Sequence, residues 1–504
     1  MTPHAPGGGG EQAIGSVAVA HPHAGTLGEL VSGLPDAEIR GDAGVPISSI
    51  AYRSTEGSPG SLFFCVPGSN RDGHAFAPEA ISGGAVALVV ERPLDLPVTQ
   101  VVVGSVRRAM GPISGAFYGH PADAMTVVGV TGTNGKTTTT YLLEAVFRQA
   151  GLTPGVIGTT GVRTDGVPTP FPRTTPEAPD LHRLLAEMRA SGIDAVAMEV
   201  SSHGLDQHRV DGVRFSRAVF TNLSQDHLDY HASMETYFEA KARLFTPEMS
   251  ERAVVNVDDG YGRRLAANGL PTLTYGLDAV ADVRGTDVHT GEDGIRFVAA
   301  GVPIRSGLRG RFNVENCLAT FTTARDLGIA ELEVAEAIAS VDRVPGRMEL
   351  VVAGQAFLVM VDYAHTPDSV DNVLRAARPL ADGRLIVVVG CGGDRDRAKR
   401  APMGRAATSN ADLSILTSDN PRSEDPNAII AEIVPGARAG GGRFTIEPDR
   451  RSAIRFAMSE ASPGDVVVIA GKGHETYQEL GDRTIEFDDR RVAEQELLEL
   501  GKAR

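Results

Sequence analysis

One stretch constrains this chain more than any other: Val127-Val128-Gly129-Val130-Thr131-Gly132-Thr133-Asn134-Gly135-Lys136-Thr137-Thr138-Thr139. A short β-branched run enters a glycine-bearing turn, and a lysine and threonines then open a segment of helical pattern. Such a layout turns backbone N–H groups and the positive end of a new helix toward phosphate oxygens. Lys136 can reach the β- and γ-phosphates, and the Thr137 hydroxyl can ligate Mg²⁺; Gly132, Thr133, Asn134, Gly135 and Thr138 complete the candidate loop. The strict pattern of such loops has glycine where Val130 stands, so this is a compact variant, Gly-Thr-Asn-Gly-Lys-Thr. An ordinary strand-to-helix turn would leave Lys136 and the threonines that follow it without a reason.

A length of 504 residues suggests about three domains. Hydrophobic content of 42% with 22% charge describes a globular chain able to bury cores rather than a disordered one. A net charge of −16 argues against a nucleic-acid binder, which needs a basic face. It does not exclude an anionic small molecule, because arginines and Mg²⁺ can reverse the field inside a cleft. Cys65, Cys317 and Cys391 are too far apart for a disulfide framework or a zinc site, which fits a reducing compartment. Residues 1–24, rich in Gly, His, Ala and Pro, are expected to be a disordered tail without a signal peptide core. No apolar run approaches the ~18 residues of a membrane span, so a cytoplasmic protein is expected.

Residues 25–121 form a small α/β region with strands expected at Ser61–Val66, Ala85–Val90 and Thr99–Val103. Ser69 to His74 is a polar loop that by itself reads as a surface turn. From 122 to 343 strands and helices alternate, which predicts a parallel sheet with both faces covered. Arg173-Thr174-Thr175-Pro176 precedes a helix over 179–191, which either threonine can cap. Ala195 to Val200 is a buried-type strand carrying Glu199 near its end. In a parallel α/β sheet the strand C-termini line the ligand crevice, so Glu199 is a candidate Mg²⁺ ligand, with a structural salt bridge as the alternative. Polar loops follow at 201–209 and 222–231. Asn313 is expected to cap a helix that Asn316 continues. Pro345-Gly346-Arg347 opens a third region, 344–504, whose four expected strands (357–362, 384–390, 413–418 and 465–470) each end in polar residues, which describes a binding edge.

Taken together these motifs resemble the Mur ligases, ATP-dependent amide-forming enzymes of peptidoglycan precursor synthesis. The marks are Gly132 to Thr137, Glu199-Val200-Ser201-Ser202, Asp226-His227-Leu228-Asp229, Gly310-Arg311-Phe312-Asn313, Pro345-Gly346-Arg347-Met348-Glu349, Asp362-Tyr363-Ala364-His365 and Gly471-Lys472-Gly473-His474-Glu475. The resemblance implies three α/β domains: an N-terminal UDP-binding domain, a central P-loop ATPase-type domain with a parallel sheet, and a Rossmann-like C-terminal domain that takes an amino acid. Within the family, Asp419-Asn420-Pro421-Arg422 is similar to the signature of members that add meso-diaminopimelate; lysine-adding relatives lack that arginine. The physical reason is the extra carboxylate of diaminopimelate, which a guanidinium fork holds in two places.

The implied chemistry passes the γ-phosphate of ATP to the D-glutamyl carboxylate of UDP-N-acetylmuramoyl-L-alanyl-D-glutamate. The amine of diaminopimelate then attacks the acyl phosphate. By resemblance Thr137 and Glu199 hold one Mg²⁺, and Glu199, His227 and a carbamylated Lys241 hold or position a second; on local pattern alone Lys241 reads as a solvated helix lysine. Asn316, Arg347, Asp362 and His365 fall near the nucleotide. Thr174, Thr175, Ser201, Gln207 and Arg209 fall to the UDP-sugar peptide, with Ser54 and Ser69 on the uridine side. There the chain departs from many relatives, having Arg53-Ser54-Thr55 where they have Asp-Ser-Arg. Arg395, Asp419, Asn420, Pro421, Arg422, Gly471 and Glu475 form the implied diaminopimelate pocket, and a monomer without nucleic-acid partners is expected. The rival readings are a lysine-adding ligase, a folylpolyglutamate synthetase, and a regulatory P-loop NTPase; the last has no use for an arginine–carboxylate pocket.

Overall fold

The computed structural model describes residues 25–68 and 71–502, so Ser69 and the tail lie outside the described residues. The chain divides into two units. The first ends at Ala124 and also contains Ala178–Gly192; the second comprises Met125–Glu177 and the chain from Ile193 onward.

The first unit is built on a five-stranded sheet in the order Glu38–Arg40, Thr99–Val102, Ala85–Val90, Ser61–Phe64, Ser49–Ala51, parallel except at the Glu38–Arg40 edge. Leu62, Phe64, Ala87 and Val89 line one of its cores with Val106, Ile113 and Phe117 of the helix Val106–Phe117. The helix Ala178–Ala190, counted with the central region in the sequence, supplies Ala178 and Ala186 to this core.

The second unit holds two large sheets. In the first, Thr126–Thr131 lies between Ala195–Glu199 and Phe215–Phe220, parallel to both. Ser250–Asn256, Thr272–Gly276 and Val283–Gly291 continue it in parallel on one side and Pro154–Gly158 on the other, and two antiparallel strands finish each edge to make eleven. The helix Lys136–Gln149 packs on it through Leu142, Leu143, Val146 and Phe147, all fully buried at helical spacing. The second sheet runs Glu349–Leu350, Leu358–Asp362, Val466–Ala470, Leu385–Cys391, Leu413–Ser418, Arg443–Ile446 and is parallel after its first strand. These central strands are apolar throughout because helices cover both faces, which is why they read as unbroken Val/Ile/Leu runs. All four expected C-terminal strands are neighbours here, so their polar ends share one edge.

Two local expectations are corrected. The helix Arg311–Asp326 starts at the Gly310 cap, and Asn313 lies inside it, donating Nδ2 to the Arg309 carbonyl at 2.7 Å. The Thr175 hydroxyl serves the end of the strand Ala195–Glu199 instead of a helix cap: it donates to the Glu199 carbonyl at 3.0 Å and accepts from the Ser201 N–H at 3.0 Å. Among the described residues no helix is long and apolar enough to cross a membrane.

Candidate functional site

The phosphate loop sits where the strand Thr126–Thr131 ends. Gly132 has φ 151° and Gly135 φ 88°; a Cβ at either would lie 1.9 Å from Thr221 Oγ1 or 2.4 Å from Asn316 Oδ1, so only glycine fits this turn. Asn222 shapes the loop by accepting the Thr133 N–H on its carbonyl at 2.8 Å and the Asn134 N–H on Oδ1 at 2.9 Å. Lys136 Nζ folds back on the Gly132 and Thr133 carbonyls at 2.9 and 2.8 Å, and Thr137 Oγ1 accepts from Arg347 at 3.0 Å. Burial lowers the Lys136 ammonium below its ordinary range, against the opposing charge of Glu199.

Glu199 is paired in register with Val130 and is 1% exposed. Its carboxylate accepts only from Thr159, by N–H and Oγ1, each at 3.0 Å, and no lysine or arginine among the described residues pairs with it. A buried carboxylate with neutral partners alone is costly, and a cation beside it removes that cost. No salt bridge takes the place of the ligand reading.

Lys241, near the end of the helix Met234–Ala242, is also 1% exposed; the solvated-lysine reading is excluded. Its Nζ donates to the Gly132 carbonyl at 2.9 Å and lies 4.7 Å from the Tyr237 ring centroid. Burial, reinforced by Lys136, holds its pKa well below the ordinary lysine range. His227, with φ 54°, contacts Asp226 Oδ2 at 3.2 Å and stacks edge-on with His203; burial drives its imidazole down to about 3. Among the described residues no three His, Cys, Asp or Glu side chains converge as a metal cage. Mg²⁺ needs only one or two carboxylates beside phosphate and water oxygens, so Glu199 with the Thr137 hydroxyl suits it.

Two cavities open on this edge. The smaller, about 550 Å³, is lined by Asn134, Gly135, Thr137 and Thr138 of the loop and by Asn316, Arg347 and Asp362. Asp362 is buried and accepts the Met348 N–H at 2.7 Å; Asp368 bridges Asn134 Nδ2 at 3.0 Å and Ser224 Oγ at 3.1 Å. His365, grouped in the sequence with these residues, lines the larger cavity instead, its Nε2 3.8 Å from Asp226 Oδ2.

The larger cavity, about 1280 Å³, is lined by Thr174, His227, Arg395, Asp419, Asn420, Arg422, Gly471 and Glu475 among others; Pro421 instead packs its carbonyl on Gly393. Arg422, at φ 53°, donates Nη1 to the Gly393 carbonyl at 2.9 Å and pairs with Glu479 at 2.8 Å. Arg395 donates to the Asp394 carbonyl at 2.9 Å. Asn420 donates to Glu475 at 2.9 Å, and burial with Asp419 nearby pushes the Glu475 carboxyl up. Of the other candidates, Arg209 pairs with Glu177 at 3.1 Å and donates to Gln207 at 2.7 Å, Ser201 caps the helix Ser202–Asp206, and Ser54 opens the short helix Ser54–Glu56 in the first unit.

Sequence reasoning assigned no role to Lys472, which is fully buried and links Asn420 Oδ1 at 3.0 Å to Glu475 at 3.2 Å. A lysine between two glycines just past a buried strand was the available signal. Lys399, 3.6 Å from Asp226, gave none, because only the fold brings residues 226 and 399 together.

A compact phosphate loop on one covered sheet and a rim of arginines and carboxylates on a second suit a nucleotide-using ligase, and sequence comparison gives the class: the chain belongs to the Mur ligase family. Its residues 46–117 match the Mur ligase family catalytic domain, 130–324 the Mur ligase middle domain, and 346–473 the Mur ligase glutamate ligase domain. The chain is 47% identical over 481 residues to the UDP-N-acetylmuramoyl-L-alanyl-D-glutamate–2,6-diaminopimelate ligase of Geobacillus thermodenitrificans (strain NG80-2), covering 93% of this chain and 98% of that protein. A solved structure of a ligase of that same name aligns with a TM-score of 0.69 at 34% identity, covering 95% of this chain and 100% of that one. The MurF ligase from Thermotoga maritima in complex with ADP shares the fold at 20% identity, with a TM-score of 0.60 over 90% of this chain and 97% of that one. The architecture is thus the three-domain α/β arrangement of the family.

Proposed function

We propose that this chain is an ATP-dependent ligase that joins meso-2,6-diaminopimelate to UDP-N-acetylmuramoyl-L-alanyl-D-glutamate in peptidoglycan precursor synthesis. The observation that carries the reading is the larger cavity, where Arg395 and Arg422 stand beside the Asn420–Lys472–Glu475 network and share walls with His227. The name of the relative at 47% identity supports it, and the ADP complex of the MurF neighbour supports nucleotide binding; the smaller cavity, walled by the phosphate loop, is the place assigned to it.

Each group then has a task. The loop amides of residues 132–138 and Lys136 hold the β- and γ-phosphates; with nucleotide present, Lys136 would leave the Gly132 and Thr133 carbonyls for phosphate oxygens. Asn316, Arg347 and Asp362 orient the rest of the nucleotide. Thr137 and Glu199 would hold one Mg²⁺, and Glu199, His227 and a carbamylated Lys241 would hold or position a second; the ions would supply neutralisation of the crowded phosphate and carboxylate charge. Carbamylation converts the Lys241 amine into an anionic oxygen ligand, and its depressed pKa leaves the nucleophilic free amine that CO₂ requires. Thr174, Thr175, Ser201, Gln207 and Arg209 take the sugar peptide and place its D-glutamyl carboxylate, and Ser54 is the contact assigned on the first unit.

Once the acyl phosphate has formed, the amine of diaminopimelate attacks its carbonyl carbon and phosphate leaves. Arg422 and Arg395 hold carboxylates of the amino acid, Arg422 exchanging its contact with Glu479 for the ligand, while Glu475 receives an ammonium.

The test is phosphate release from ATP and the UDP-dipeptide with meso-diaminopimelate or with lysine. Release that depends on diaminopimelate and is far slower with lysine supports the reading. Release indifferent to both amines, or faster with lysine, contradicts it.

A further inference from the structure

The two oxygens of Glu475, the carboxylate proposed to receive an ammonium, are held differently. Oε2 accepts from Asn420 Nδ2 at 2.9 Å and from Lys472 Nζ at 3.2 Å, whereas Oε1 meets only the Tyr363 hydroxyl at 3.4 Å. The Lys472 ammonium is fully buried just past the strand Val466–Ala470, between glycines at φ 122° and 53°. It also donates to Asn420 Oδ1 at 3.0 Å and lies 3.8 Å from Asp419 Oδ1. Asn420 Oδ1 accepts the Glu479 N–H at 3.0 Å as well, so two donors hold the amide oxygen and its nitrogen is turned to Glu475.

The charge balance of this corner needs the lysine. Burial, then Asp419, push the Glu475 carboxyl up, and Lys472 and Asn420 oppose them. Arg450, bonded to Asp489, is the other cation acting on Glu475, and Tyr363 and Tyr477 are its titratable neighbours of neutral charge. Two buried carboxylates with too little cationic charge beside them share a proton, and a protonated Glu475 is no partner for an ammonium. A purely mechanical role for Lys472 is already filled, because Arg450 ties the Ser418 and Ala470 carbonyls, just before Asp419 and Gly471.

We propose that Lys472 is a positioning residue for the incoming amino acid: it fixes Glu475 through Oε2, in its charged form, and leaves Oε1 to accept the ammonium that diaminopimelate does not use in attack. The proposal rests on the larger cavity, which Glu475 lines, being the diaminopimelate site of the proposed function. Without the lysine, Asn420 loses a donor that sets its amide, and Glu475 keeps its proton to higher pH.

The experiment measures kcat/KM for diaminopimelate and KM for ATP in the wild type, Lys472→Met and Lys472→Gln, from about pH 6.5 to about pH 8.5, with Glu475→Gln alone and combined with Lys472→Met. At neutral pH both lysine variants should lose about tenfold or more in kcat/KM for diaminopimelate at unchanged KM for ATP. The loss should shrink as pH rises, because the uncompensated carboxyl then ionises. Lys472→Met should cost no more than about twofold once Glu475 has been replaced by Gln. A loss that is the same at every pH, a matching rise in KM for ATP, or full additivity of the two substitutions overturns the positioning role. Failure of both lysine variants to fold also overturns it, by making Lys472 a structural residue. A wild type whose phosphate release ignores diaminopimelate overturns the assignment of the cavity, and the proposal with it.

Discussion

The Lys241 amine is 1% exposed and bonded to the Gly132 carbonyl, and burial holds its pKa well below the ordinary lysine range, which favours the carbamate proposed for it. Lys241→Ala should lower kcat by roughly 100-fold or more, because an anionic ligand among the phosphates would be gone. Added bicarbonate should not restore it. Wild-type protein equilibrated with ¹³C-bicarbonate should show a carbamate carbon signal that the variant lacks; its absence from the wild type would contradict the carbamylation. Arg422→Lys belongs to the same scale. A point charge replaces a planar fork, so KM for diaminopimelate should rise by roughly tenfold while KM for ATP stays put. Equal rises in both would argue that Arg422 holds the domain together instead of the substrate.

At the scale of elements, the diaminopimelate pocket depends on how two strand ends are held. Arg450 is fully buried and donates to both oxygens of Asp489 at 2.8 and 2.6 Å, and to the carbonyls of Ser418 at 3.3 Å and Ala470 at 3.0 Å, the last residues before Asp419 and Gly471. Arg450→Met leaves Asp489 buried without its cation and should cost about 3–5 kcal/mol in urea denaturation. Adding Asp489→Leu should recover most of that loss, whereas a double variant as unstable as the single one would contradict the pairing argument.

The strands on either side of this clamp were legible as apolar runs, and their polar ends as a binding edge, because a covered parallel strand has no other way to be written. Their spatial order was not legible, since Val466–Ala470 lies between Leu358–Asp362 and Leu385–Cys391 although it comes last in the chain. The packing of Ala178–Ala190 in the first unit was hidden for a related reason: its apolar stripe announces a helix but not which core receives it. Arg450 gave no signal, and Lys472 none beyond its place in a glycine-flanked motif, because a basic residue looks exposed until partners such as Asp489 and Asn420, distant in sequence, are known.

For the molecule as a whole, burial of histidines ties stability to pH. His203 and His365 are pressed down to about 4, and His227 and His474 to about 3, from an ordinary value of 6.5, in each case chiefly by burial. Below pH 6.5 the unfolded chain takes up protons at these sites that the folded chain refuses, so their contribution to stability falls as pH falls. Raised carboxyls such as Glu315 act in the opposite sense, losing stability as pH rises from 4.5 toward 7. A single histidine is therefore best isolated by difference. His474, whose Nδ1 has no partner, is flanked by Arg347 and Arg490. The thermal midpoint of His474→Gln relative to wild type should climb as pH is lowered from 7 to 5. A difference that does not change with pH would mean that His474 is not buried as a neutral ring.

The two cavities act as one machine only if the carboxylate activated at the phosphate loop is the one that diaminopimelate captures. Labelling both oxygens of the D-glutamyl γ-carboxylate with ¹⁸O tests this directly. Passage through an acyl phosphate leaves one labelled oxygen on the released phosphate and one in the new amide, with one phosphate formed per diaminopimelate joined. Unlabelled phosphate accompanying the tripeptide product would contradict the account.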